Sequence, residues 1–155
     1  MSRAFTREED SENAIAGVGE RPISTYRNLV TERGLAQIEE NLADLRDVLA
    51  KAEKKADRER IAVVSRDLRY WTARRNTAQV VTPPADAAEA HFGSTVTIER
   101  EDGRRQTFRI VGEDEADPAK GTISYVSPVA QALTGKRVGD VVQAGASEAE
   151  IVAIA

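Results

Sequence analysis

The chain contains no cysteine and a single histidine among its 155 residues. Without cysteine there are no disulfides, no thiolate nucleophile and no cysteine-based zinc site. His91 has no serine or acid at a telling spacing, so a histidine-centred triad or multi-histidine metal site has no partners to be built from. Aromatics make up only 5% of the residues, with Trp71 the one tryptophan, so the core must be aliphatic and rings to line a ligand pocket are scarce. No stretch approaches the ~18 consecutive apolar residues of a membrane span, and the first residues lack the apolar run of a signal peptide. A soluble, cytoplasmic protein is expected. The net charge of -4 excludes a generic basic coat for nucleic acid, although local patches steer docking more than net charge does.

What is present is charge and periodicity. Charged residues reach 31%, as in chains rich in exposed helix, and the length suits one domain or two small ones. Residues 1–28 carry charges, Gly17, Gly19 and Pro22 without apolar periodicity, which predicts a disordered tail. From Thr31, a suitable N-cap, a heptad seam runs through Leu35, Ile38, Leu42, Leu45, Leu49 and Ala52. A second seam runs through Ile61, Val64, Leu68, Trp71, Arg75 and Ala78. The two are out of phase, so the helix must break near residues 54–57, with Asp57 capping its successor. The spacing predicts an antiparallel helical hairpin over 29–80, its first helix about 23 residues or roughly 35 Å long. The second helix is basic. Arg58, Arg60, Arg66, Arg69, Arg74 and Arg75 stand against Glu59 and Asp67, and pairing with Glu39, Glu40, Asp44 and Asp47 of the facing helix explains them better than nucleic-acid contact.

Val81-Thr-Pro-Pro-Ala85 cannot continue a helix and opens a linker over 81–90. Beyond it the period becomes two. Residues 94–101 and 105–111 read as strands with Val96, Ile98, Phe108 and Ile110 on inner faces, joined by a turn at Glu101-Asp-Gly103. Residues 122–126, 138–143 and 149–154 supply three more strands. Ser127-Pro128 and Gly135 bracket one short helix. A small antiparallel β domain over 91–155 is predicted. Glu113, Asp114, Glu115 and Asp117 are the carboxylate donors that hard cations take, but such runs are also common in solvated turns, and no second cluster lies nearby to complete a cation site.

Three blocks in this region, Phe92-Gly-Ser-Thr-Val-Thr-Ile98, Arg109-Ile-Val-Gly-Glu-Asp-Glu-Ala-Asp-Pro118 and Ser127-Pro-Val-Ala-Gln-Ala-Leu-Thr-Gly-Lys-Arg-Val-Gly-Asp140, together with the preceding helix pair, resemble the GreA/GreB transcription elongation factors. The resemblance implies an α+β protein, an antiparallel two-helix coiled coil followed by an FKBP-like β domain. It implies a partner, bacterial RNA polymerase, engaged at the secondary channel, with nucleic acid touched at most indirectly within the elongation complex. Gly112, Glu113, Asp114, Glu115, Asp117, Ser127 and Pro128 become polymerase-docking candidates. In the family, acids at the hairpin tip help hold a catalytic magnesium in the polymerase, which itself cleaves backtracked RNA. The chain would then be an accessory factor with no intrinsic cofactor, using Mg²⁺ only through the polymerase.

The tip here reads Glu53-Lys-Lys-Ala-Asp-Arg-Glu-Arg60, so Glu53 and Asp57 are the candidate tip acids, but Lys54, Lys55 and Arg58 surround them and the family motif is absent. Asp10-Ser-Glu-Asn-Ala14 resembles part of that motif but precedes the first helix, where no hairpin presents it. The expectation is modulation of elongation with weak or no stimulation of cleavage. Two alternatives are an efficient cleavage stimulator and an FKBP-like peptidyl-prolyl isomerase. The second has only Phe92, Phe108 and Tyr125 in its module to line a proline pocket.

Overall fold

The computed structural model describes residues 18–86 and 88–155. They form two compact units. One comprises the described residues up to Thr25 with Ala36–Thr77, and the other comprises Tyr26–Leu35 with Ala78–Ala155. Residues 1–17 of the tail expected over 1–28, with the Asp10-Ser-Glu-Asn-Ala14 sequence, lie outside the described residues.

The first unit is the helical hairpin. Helix α1 spans Glu32–Lys54 and helix α2 spans Arg58–Thr77. Ile38, Leu42 and Ala52 of α1 and Val64 of α2 are buried, as the seams require, while Leu45, Leu49, Ile61 and Leu68 are half-buried. Trp71 is half-buried as well, its ring edge-on to Tyr70 at 5.1 Å between centroids. Towards the end of α2 the arginine that turns inward is Arg74, only 2% exposed, while Arg75 is exposed and pairs with Glu39 across the hairpin at 3.5 Å.

The break between the helices lies at the predicted place and has a definite geometry. The N–H of Asp57 donates to Ala52 O at 3.0 Å, and that of Ala56 to Glu53 O at 3.1 Å. This is the pair of bonds that closes a Schellman C-cap. The motif places Ala56 in the left-handed region at φ 52°, where a Cβ is disfavoured. Asp57 then starts α2, its Oδ1 accepting the N–H of Arg60 at 3.2 Å.

Residues 18–21 run along α2 as a strap. Arg21 lies 3.9 Å from the Tyr70 ring centroid and pairs with Asp67, and Glu20 pairs with Arg69. These contacts place residues 18–21, part of the segment expected to be disordered, on a helix face. Stacking on two rings and two ion pairs offset the entropy of holding them there.

The second unit is a β domain. Strands β1 (Leu29–Val30) and β2 (Gln79–Val80) form a short parallel pair. The main sheet contains β3 (Thr95–Arg100), β4 (Arg105–Val111), β5 (Thr122–Ser124), β6 (Val141–Ala144) and β7 (Ser147–Ile154), in the order β5-β4-β3-β7-β6. All its pairings are antiparallel except β4 with β5. The sheet is therefore mixed. The chain leaves β4 through residues 112–121, which contain a 3-10 turn at Pro118–Lys120, and returns in the same direction. Helix α3 (Pro128–Leu133) packs its Ala130 and Leu133 with Val96, Ile98, Ile110 and Ile151 in an aliphatic core. Phe108 and Tyr125 pack at the edge of this core, and Phe92 meets Tyr125 edge-on at 5.7 Å.

Candidate functional site

The parallel pairing of β4 and β5 determines where the docking candidates lie. Val111 is level with Ser124, so the two strands end side by side. Gly112 follows the end of β4 and Ser127 lies three residues beyond the end of β5, whereas Asp117 lies beside the start of β5, its N–H on Thr122. Ser127 is the N-cap of α3, its hydroxyl accepting the N–H of Ala130 at 3.3 Å, and Pro128 occupies the first helical position, exposed.

The carboxylates of this loop are not equivalent. Glu115 Oε2 accepts the backbone N–H of Thr31 at 2.9 Å and that of Gly112 at 3.2 Å, while Oε1 accepts the Thr31 hydroxyl proton. The Thr31 hydroxyl in turn accepts the N–H of Gly34 at 3.0 Å, so Thr31 caps α1 as its sequence position predicts. A carboxylate beside the first turn of a helix also meets the positive end of its dipole. Glu115 is thus engaged in holding the segment around Thr31 to the β domain. Two glycines make room for it. A Cβ on Gly34 would lie 2.2 Å from Glu115 Cδ, and one on Gly112 would lie 2.4 Å from Leu29 O. The Tyr125 hydroxyl donates to Arg27 O in the same region.

Asp117 faces outward. Its backbone N–H donates to Thr122 Oγ1 at 2.8 Å, and its half-exposed carboxylate stands 4.0 Å from Lys120 Nζ. Glu113 and Asp114 are half-buried, each with a polar partner. Among the docking candidates, Pro128 and the Asp117 carboxylate are open to solvent, while Glu115 and Ser127 make internal hydrogen bonds.

At the loop end of the hairpin, Glu53 and Asp57 are both exposed, as are Lys54, Lys55 and Arg58. The Asp57 carboxylate is engaged as the α2 cap, and the groove beside it is lined by Val48, Lys51, Ala52, Lys55 and Arg60. The basic run of α2 is largely engaged internally. Arg66 pairs with Asp67 at 3.1 Å, Arg69 with Glu20 at 2.5 Å and Arg75 with Glu39. The Arg69 guanidinium, through its hydrogen bonds, holds Glu20 below the usual carboxylate range, and Glu20 raises Arg69 in return. The Glu20 and Arg21 contacts were not foreseen from sequence. No local pattern signals a pair 46 or 49 residues apart.

Known proteins share this organisation in sequence. The family model described as "Transcription elongation factor, GreA/GreB, C-term" matches residues 85–155. Transcription elongation factor GreA of Alkalilimnicola ehrlichii is 40% identical over 115 residues, covering 70% of this chain and 73% of that protein. GreA of Desulfovibrio desulfuricans is 33% identical over 77% of this chain and 81% of its own length. GreB of Neisseria meningitidis serogroup B is 41% identical over 61% of this chain, and the match spans 62% of that protein. With a relative 40% identical across nearly three quarters of its length, the chain belongs to the GreA/GreB transcription elongation factor family.

Proposed function

We propose that this chain docks at the secondary channel of bacterial RNA polymerase, using the β4–α3 face around Asp117 and Pro128, and modulates elongation without efficient stimulation of transcript cleavage. It acts as an accessory factor in the cytoplasm. Any RNA cleavage in the complex is carried out by the polymerase active site, and the chain has no cofactor of its own.

The observation that carries the non-cleaving part of this reading is the engagement of Asp57. A carboxylate that is to complete a magnesium site needs free oxygens and a second acid close by. Asp57 caps α2 through Oδ1, and its neighbours Lys54, Lys55 and Arg58 make the approach of a divalent cation unfavourable. Among the described residues no group of three or more histidine, aspartate or glutamate side chains converges in a metal-holding arrangement. The donor set at the loop end does not fit magnesium.

The test of docking is a pull-down of core RNA polymerase by the full chain, repeated with Asp117→Arg and Pro128→Glu. Retention of polymerase by the unmodified chain and its loss in both variants is expected. Equal retention by all three would contradict the assignment of the face. No retention by any would contradict the partner.

A further inference from the structure

Tyr70 and Trp71 are consecutive on α2, and their rings meet edge to face at an interplanar angle of 85°. Asp67 lies one turn before them, at the spacing that makes helical side chains neighbours. The three form a corner with two aromatic walls and a carboxylate. Arg21 fills it. Its guanidinium carbon lies 3.9 Å from the Tyr70 centroid and 5.6 Å from that of Trp71, and its Nη1 stands 3.5 Å from Asp67 Oδ1. These groups select arginine over lysine, because a flat and weakly hydrated cation stacks on rings while its edge meets a carboxylate. Beside the corner, Arg69 receives the carboxylate of Glu20 through Nε at 2.9 Å and Nη2 at 2.5 Å.

We infer that this corner of α2 is a binding site for arginine side chains, that Arg21 is its exchangeable internal occupant, and that the ligand displacing it is a protein segment with an arginine directly after an acid. The walls of the corner all belong to one helix, so the site does not need Arg21 to form. Asp67 also pairs with Arg66 at 3.1 Å, so the departure of Arg21 leaves no carboxylate stranded. The strap's own hold is slight. The Arg69 and Glu20 side chains are 55% and 65% exposed, and ion pairs at such positions are individually weak. Ordering residues 18–21 works against them. Gly19 has nothing within 4 Å of where a Cβ would lie and gives the strap a swivel, while Pro22 keeps Arg21 extended. Tethering is therefore what keeps the site filled, since the strap competes at an effective concentration that a separate ligand must match. The occupant also specifies the ligand. Glu20-Arg21 places a carboxylate on Arg69 and a guanidinium on the rings together, and a partner loop with the same two side chains in the same order meets both. A nucleic-acid strand would satisfy Arg69 but brings no cation to the ring corner.

The probe is a fluorescein-tagged, end-blocked peptide Gly-Glu-Arg-Pro, the sequence of residues 19–22, titrated against the full chain and read by anisotropy. Arg21→Ala should bind it at least about tenfold more tightly than the unmodified chain, whose strap competes. Arg21→Lys keeps the charge without the flat group and should open the site nearly as well. The peptide Gly-Glu-Lys-Pro should bind far more weakly to every chain. Asp67→Asn or Tyr70→Leu, added to Arg21→Ala, should abolish the gain. Trp71 is the one tryptophan, so its emission should change in Arg21→Ala and return towards that of the unmodified chain as peptide is added. Equal affinity of the unmodified chain and Arg21→Ala would overturn the exchange. No binding by Arg21→Ala, or equal binding of the lysine peptide, would overturn the site. A gain that survives both Asp67→Asn and Tyr70→Leu would overturn it too, because the peptide would then sit elsewhere. No polymerase enters these readouts, so they stand or fall independently of the docking proposal.

Discussion

Glu115 closes the start of a helix whose N-cap, Thr31, lies 84 positions before it, its Oε2 accepting the backbone N–H of Thr31 at 2.9 Å. Orphan N–H groups at a helix start are ordinarily met by the local cap. Here a distant carboxylate adds to the Thr31 cap and ties β1 and the first turn of α1 to the β4–β5 loop. Glu115→Ala should therefore destabilise the β domain by about 1–3 kcal/mol, the cost of leaving buried donors unmet. Gly34→Ala should cost a similar amount by driving a Cβ into that carboxylate. Because Glu115→Ala removes the atoms that clash, the double variant should lose clearly less than the sum of the two. Urea unfolding of the four proteins reads this. Additive losses would show that the two residues do not meet.

The loop end of the hairpin contains a correctable strain. Ala56 sits at φ 52° where a Schellman cap favours glycine. Ala56→Gly should raise stability by about 1 kcal/mol, the steric relief slightly exceeding glycine's greater unfolded-state entropy. A denaturation midpoint that stays put or falls would mean that this backbone conformation is not populated in solution.

Burial along the hairpin is uneven, and substitution should show it. Ile38, only 1% exposed, should cost about 2–5 kcal/mol on truncation to alanine. Trp71 is half-buried, so Trp71→Ala should fall below the 3–5 kcal/mol typical of an enclosed aromatic. It should also loosen Arg21, whose guanidinium carbon lies 5.6 Å from the indole centroid. Thermal unfolding together with the Arg21 side-chain resonance reports both effects. A larger loss for Trp71→Ala than for Ile38→Ala would contradict the burial order.

The strap should respond to acid. The Arg69 guanidinium holds Glu20 below the usual carboxylate range. With the folded-state value depressed, the stabilisation is fully present above the unfolded-state value and is lost as pH falls through the folded-state one. The strap should stay attached at neutral pH and through the ordinary titration range of glutamate, then release below it. Glu20→Gln should remove that step. Side-chain carbon shifts of Glu20 followed by NMR titration measure it, and an ordinary glutamate midpoint would show that the ion pair does not form in solution.

Much of this fold was legible because local physics decided it. The out-of-phase seams, with Asp57 between them, located the break in the hairpin. Ser127-Pro128 and Gly135 bracketed α3, and the period-two runs around Val96, Ile98 and Ile110 marked strands that the structure buries. The features that escaped depend on residues far apart in sequence. Nothing near Leu29 announces its pairing with Gln79, nothing near Glu115 announces Thr31, and nothing near Arg21 announces Tyr70. The inward arginine was misplaced by one residue, Arg74 for Arg75, because an ideal heptad was carried to the end of a helix that does not maintain it. At the candidate site the acidic loop was visible as composition. Its division into a structural carboxylate, Glu115, and an outward one, Asp117, was not.

The central functional claim is that this family member engages polymerase without promoting transcript cleavage. The most direct measurement is the length of RNA in a backtracked elongation complex given saturating protein and Mg²⁺, resolved on a gel over time. The account predicts that the RNA keeps its length at close to the rate seen without the protein, and that Asp57→Ala leaves this unchanged. Rapid release of short 3′ fragments by the unmodified chain, lost in Asp57→Ala, would contradict it and identify Asp57 as a working ligand at the tip.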